Sequence, residues 1–209
     1  MSATGIWVLL PVPDEAVARF APLLDPPVAR QRQAARTRRL WRDWQAAPEL
    51  VGGLRQVGAN GRALEEASEA FQELSGACPL DAHIETVYEL WGHGDQQGPL
   101  LTAGCRKGHP AAALAHGLGP ARFARLPGWF GDLTIGSARV RAELPHVEAA
   151  LDLTSAERRA AEERTVTWLC ESGDGDAAEA AAMLDGIVPV WQAAARAGRG
   201  LSGAMVIPC

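Results

Sequence analysis

Residues 5–10, GIWVLL, are an unbroken apolar run ended by PVP, the pattern of a strand buried on both faces. From Asp14 the apolar positions take a helical period through EAVARFAPLL, and DPP at 25–27 is expected to stop that helix. A longer Arg-rich helix over 28–46 carries Leu40, Trp41 and Trp44. The stretch GGLRQVGANG (52–61) has four glycines in ten residues and reads as a loop or hinge. Helical periodicity resumes over 62–75 and 81–92. Gly and Pro then recur to residue 136, leaving GPLLTAG (98–104) as a candidate strand and HPAAALAHGLG (109–119) as a short helix. LPGWFGDL (126–133) reads as a loop with two large aromatics, and residues 137–151 as a helix interrupted at Pro145. TSAE (154–157) is a capping box that starts a helix to about Cys170. ESGDGD (171–176) is a polar turn, 177–198 a helix weakened at Gly186 and Pro189, and GAMVIP (203–208) a closing strand.

Strands at both ends with mostly helices between them predict a single α+β domain over residues 1–209. Its small sheet is expected to include the N- and C-terminal strands, paired with each other. Composition agrees: 47% hydrophobic and 22% charged residues suit a globular chain long enough to bury a core. The cations are 19 Arg and one Lys, and Ala is abundant, which points to a GC-rich bacterial source. The net charge of −5 is uneven, +3 over residues 1–60 (8 basic, 5 acidic) and −8 over 61–209 (12 basic, 20 acidic). An acidic body of this kind argues against nucleic acid as a partner. No apolar run reaches about 18 residues and no basic segment precedes the first one, so no membrane role and a cytoplasmic location are expected. Cys78, Cys105, Cys170 and Cys209 are widely spaced and predict free thiols.

The most suggestive chemistry lies in DAHIETVYELWGHG (81–94), where Asp81 is a natural N-cap. Ile84, Val87, Tyr88 and Trp91 make an apolar stripe, and Glu85, Glu89 and His93 fall on a neighbouring one. A carboxylate one turn from an imidazole can orient it for acid–base work. The simpler reading, which we prefer, is that Gly92 ends the helix and His93 sits at its C-terminus, favoured by the dipole. His83, His93, Cys105, His109 and His116 lie within 34 positions but lack the paired spacing of a zinc site, so no metal and no cofactor are expected. Glu143 and His146 read as Glu-x-x-His, but there is one such pair and Pro145 lies inside it. RQRQAARTRRLWRDW (30–44) interleaves six Arg with two Trp. Those Arg scatter around a helix, which favours a solvated helix with Trp packed inward, its charge met by acidic residues elsewhere in the chain. Trp7, Trp91, Trp168 and Trp191 occupy expected core positions. Trp129 and Phe130, between Gly128 and Gly131, are the aromatic pair expected to line a pocket or interface.

LGPARFARL (118–126), VRAELPHVEAALDLTSAE (140–157) and VPVWQAAARAGRGLSGAMVI (188–207), together with the opening strand, resemble the YfbM-like family of small bacterial proteins. The central segment lacks the Lys that usually precedes that family's Trp-His pair. The resemblance implies an α+β fold and supplies no catalytic residues.

These readings favour a protein that binds a small molecule or a protein partner without catalysis, with neutralisation of a toxin or antibiotic as a special case. Tyr88, Trp91, Trp129 and Phe130 are the expected ligand contacts. The alternative is an enzyme of specialised metabolism using Glu85, Glu89 and His93 with Cys105 and His109. Convergence of those five groups in one concave pocket would favour the enzyme.

Overall fold

The computed structural model describes residues 4–51, 61–95, 97–106, 108–171 and 177–207; most of the stretches read from sequence as a loop or hinge (52–61) and as a polar turn (171–176) lies outside them. β1 (Thr4–Val12) leads into α1 (Asp14–Gln33) and α2 (Ala35–Ala46), followed by α3 (Gly61–Ser75) and α4 (Ile84–Gly92). Then come β2 (Leu101–Arg106), α5 (Pro110–Leu118), the single turn α6 (Pro120–Phe123) and β3 (Leu133–Ile135). α7 (Ser137–Leu151), α8 (Ser155–Glu171), α9 (Ala177–Ala197) and β4 (Gly200–Val206) complete the order. The fold is α+β, with an antiparallel sheet of order β2-β1-β4-β3 that contains both terminal strands.

β1 and β4 pair along Ile6↔Val206 to Val12↔Gly200, so the two apolar ends of the chain lie side by side at the centre of the sheet. Strand alternation divides the molecule in two. Trp7, Leu9, Ala103, Cys105, Leu201 and Ile135 share one face, and α5 and α9 pack against it with α7 and α8 beyond. Leu10, Val12, Ala204 and Val206 share the other, under α1 and α4. Burial on both faces is why β1 reads as a continuous apolar run. No helix among the described residues is long and apolar enough to cross a membrane.

Three sequence expectations about boundaries are corrected. DPP does not stop α1, which carries Pro22, Pro26 and Pro27 inside it and runs to Gln33. Its buried positions Val17, Phe20, Leu24 and Pro27 keep one helical stripe across the prolines, so packing outweighs the lost backbone bonds. The chain breaks instead at Ala34, which is extended at ψ 138. Pro145 likewise sits inside an uninterrupted α7, whose Val140 and Val147 are fully buried. Asp81 caps nothing: Asp81–His83 form a 3-10 turn and α4 begins at Ile84.

β3 begins at Leu133, the last residue of the stretch read as a loop, and its three residues are all buried. Asp14, read as the opener of α1, works across space: its carboxylate accepts from Ser137 N–H (2.7 Å) and Oγ (2.6 Å), which tie down the start of α7. Those bonds, chiefly the Ser137 hydroxyl, hold the Asp14 pKa below its usual value. The Thr154 capping box forms as read, with Glu157 N–H donating to Thr154 Oγ1 (3.3 Å) and Thr154 N–H to Glu157 Oε2 (2.9 Å). Thr154→Ala is expected to lower unfolding free energy by about 1 kcal/mol, and Thr154→Ser to restore most of it, as read by urea denaturation.

Candidate functional site

The five groups proposed from sequence for acid–base chemistry do not meet. Glu85 and Glu89 ride on α4, which ends at Gly92 with His93 as its C-cap, beneath the face of Leu10 and Ala204, whereas Cys105 points to the opposite face of the sheet. Glu89 pairs with Arg19 at the surface, and the His93 ring lies 5.8 Å from Phe20. Glu85 is exposed. Cys105 is buried in the larger core cluster, and its thiol lies 3.5 Å from the Arg106 carbonyl. His109 precedes α5 on that side, 6.3 Å from the Phe130 ring, with Nδ1 buried and unpartnered; burial pushes its pKa down to about 4.

The remaining histidines give no convergence either. His116 is held between two backbone carbonyls, those of Arg164 (3.1 Å) and Val51 (3.0 Å), and no metal-binding cluster occurs among the described residues. Cys78, Cys105 and Cys170 are free thiols, while Cys209 lies outside the described residues. Of the four aromatics proposed as ligand contacts, Tyr88 and Trp91 belong to α4. Tyr88 is 41% exposed, and the half-buried Trp91 donates Nε1–H to Ser202 Oγ (3.2 Å). Trp7, Trp168 and Trp191 are core residues as read.

Trp129 and Phe130 lie elsewhere, on the wall of an open cleft of about 1060 Å³. It opens at the edge of the sheet, where β3 is the outermost strand among the described residues, and is closed by the second half of α1, by α2, and by the chain from α6 to β3. The amide of Met205 donates to Asp132 Oδ1 (2.9 Å), so the odd-numbered amides of β4 point toward β3. Leu133 and Ile135 therefore bond β4, and Thr134 turns its own N–H and C=O to the edge side, where the cleft lies.

A tight turn builds the aromatic wall. Trp129 and Asp132 exchange backbone bonds at 3.0 Å in each direction, with φ +43° at Phe130 and +91° at Gly131 between them. Positive φ at both central positions is the type I′ pattern that matches the twist of paired strands. Gly131 is required there twice over: its φ suits glycine, and a Cβ would collide with the Trp7 indole, whose Nε1–H donates to Gly131 O (3.2 Å). Phe130 is the one non-glycine residue with positive φ among those described, an unfavourable backbone for a bulky side chain. Its ring is held by Trp41 (6.4 Å), Phe123 (5.1 Å) and Trp129 (5.1 Å). A far smaller apolar cavity of about 30 Å³ lies behind, and Phe130 lines both.

The electrostatics of the cleft differ from those of the chain. Arg32, Arg38, Arg42 and Arg139 line it, together with Asp25 and the almost fully buried Asp132. Burial pushes the Asp132 pKa up to about 8, against the smaller opposite effect of the Met205 amide, so this carboxyl is protonated at neutral pH. Asp25 is also raised by loss of water, partly offset by Arg139. Trp129 Nε1 is buried with no partner.

The Trp129–Phe130 pair was legible in the sequence, but Trp41, Asp132 and the three arginines of α1 and α2 were not. The signal for Trp41 and the arginines was the Arg-Trp interleaving of 30–44, discounted because six Arg spread around a helix. The break at Ala34 and the partners of the other arginines sort them: Arg36 bonds Glu73 (2.7 Å) and Arg39 lies 3.9 Å from Asp43, both away from the cleft.

Comparison with known protein families, with characterised proteins and with solved structures returns no match.

The buried acid gives a pH signature. Unfolded, Asp132 loses its proton near pH 3.8; folded, it keeps it to about pH 8. Stability from this group is therefore complete below the first value and is lost as pH rises through the second. Asp132→Asn is expected to gain on the parent by up to about 1.4 kcal/mol for each pH unit across that window. Urea unfolding at steps from pH 5 to 9 reads the difference, and parallel curves would contradict it.

Proposed function

We propose that this protein binds a small molecule in the cleft at the β3 edge and performs no chemistry on it. The observation that carries this reading is the wall of Trp41, Phe123, Trp129 and Phe130 lining an open concavity of about 1060 Å³. That volume is of the order a drug-sized organic ligand fills, and aromatic walls with few convergent polar groups are the usual composition of such sites. The unfavourable φ of Phe130 supports the reading, because strained backbone is retained where the surrounding structure holds a side chain in place for a task. The unpartnered indole N–H of Trp129 supports it too, as a buried donor that a ligand acceptor could satisfy. None of Glu85, Glu89, His93, Cys105 or His109 lines the cleft, so the candidate acid–base groups stand apart from where a ligand would sit.

Binding is measured by thermal shift and Trp fluorescence against a panel of organic metabolites. A ligand at about a hundred times its Kd should raise Tm by roughly 5–10 °C in a chain of this size. Ala29→Trp places a large side chain on an exposed lining position and is expected to abolish the shift. A ligand that stabilises both proteins equally binds elsewhere, and turnover of any bound compound would overturn the non-catalytic part.

A further inference from the structure

Five of the six arginines between residues 30 and 44 fall into two classes once their neighbours are known. Arg36 and Arg39 have carboxylate partners and lie outside the cleft. Arg32, Arg38 and Arg42 line it, and among the described residues none of the three has an ion-pair partner. Arg38 and Arg42 are one turn apart, a like-charge spacing that is unfavourable in a helix. Arg42 Nε–H donates to the Arg38 carbonyl (3.3 Å), which holds the Arg42 guanidinium along the helix face. Between them comes Trp41, half buried, with its ring 5.8 Å from Trp129. The fourth cation, Arg139, is the one that is balanced, by Glu143 at 3.7 Å and by the field of Asp25.

A chain of net charge −5 thus keeps three uncompensated guanidinium groups around one aromatic wall. Guanidinium forks suit flat oxyanions, which they grip with two parallel hydrogen bonds, and an indole face suits a flat ring. From this arrangement we infer that the ligand of the cleft is a planar aromatic anion. Its ring lies against Trp41, and its carboxylate or phosphate is held by Arg38 and Arg42 with Arg32 beside them. The inference rests on the proposed binding role of the cleft and adds the charge and shape of what enters.

The test uses a matched set of probes on the intact protein: 2-naphthoate, 2-naphthyl phosphate, 2-naphthamide, 2-naphthylmethylammonium and cyclohexanecarboxylate. Affinities come from quenching of Trp fluorescence, with calorimetry as a check. One or both naphthyl anions should bind at least about tenfold tighter than the amide, and the ammonium and the cyclohexane acid should be weaker still. Which anion leads separates a carboxylate site from a phosphate site. In the Arg38→Gln, Arg42→Gln double variant, both residues being exposed, the anion is expected to fall to within about threefold of the amide while the amide is unchanged. Arg36→Gln, whose side chain faces Glu73, should leave the ranking intact. If the amide or the ammonium binds as well as the anions, and Ala29→Trp blocks it, the cleft is a binding site and the anion inference is wrong. If no probe binds, or binding survives Ala29→Trp, the inference and the binding role of the cleft fall together.

Discussion

The pairing of β1 with β4 is the contact on which the rest of the molecule hangs. Both helical layers are assembled on these two strands: α5 and α9 need the face of Trp7 and Leu9, and α1 and α4 need the face of Leu10 and Ala204. The edge strands depend on it as well, since β2 bonds β1 and β3 bonds β4. The same division keeps the α4 carboxylates and His93 apart from Cys105, because several ångströms of packed sheet lie between them.

The cleft is a by-product of where that sheet stops. β3 is only three residues long, and the chain entering it must reverse sharply at Trp129–Asp132 to align with β4. Trp7 from the centre of the sheet holds that reversal through the carbonyl of Gly131. The core residue and the cleft wall are therefore one mechanical unit. Beyond β3 the unpaired edge is faced by the joint between α1 and α2, which brings basic side chains to an aromatic surface.

The elements that were legible in the sequence are those whose signal is local. The GIWVLL run and the capping box at Thr154 both state their own structure. The prolines of α1 misled because a proline announces a lost hydrogen bond, whereas the burial of Leu24 and Pro27 that offsets it comes from strands far away in sequence. β3 was missed because three residues carry no period, and its register is set by β4. On α4 the one-turn spacing of Glu85 and Glu89 and the end of the helix at Gly92 were readable, but the side of the sheet that the helix occupies was not. The arginines were hidden for a related reason: which of six neighbours faces the cleft depends on the break at Ala34 and on acids such as Glu73, neither of which spacing alone reveals.

Joining the first strand to the last also governs when the molecule can form. About 200 residues separate β1 from β4, so at roughly 5–20 residues per second a ribosome leaves the leading strand without its central neighbour for some ten to forty seconds. Through that interval Trp7, Leu9 and Leu10 have no finished sheet to enter, and such non-local closure is slow even in a free chain. Nascent copies are thus exposed to chaperone capture, and to mispairing with one another, in a way the finished molecule is not.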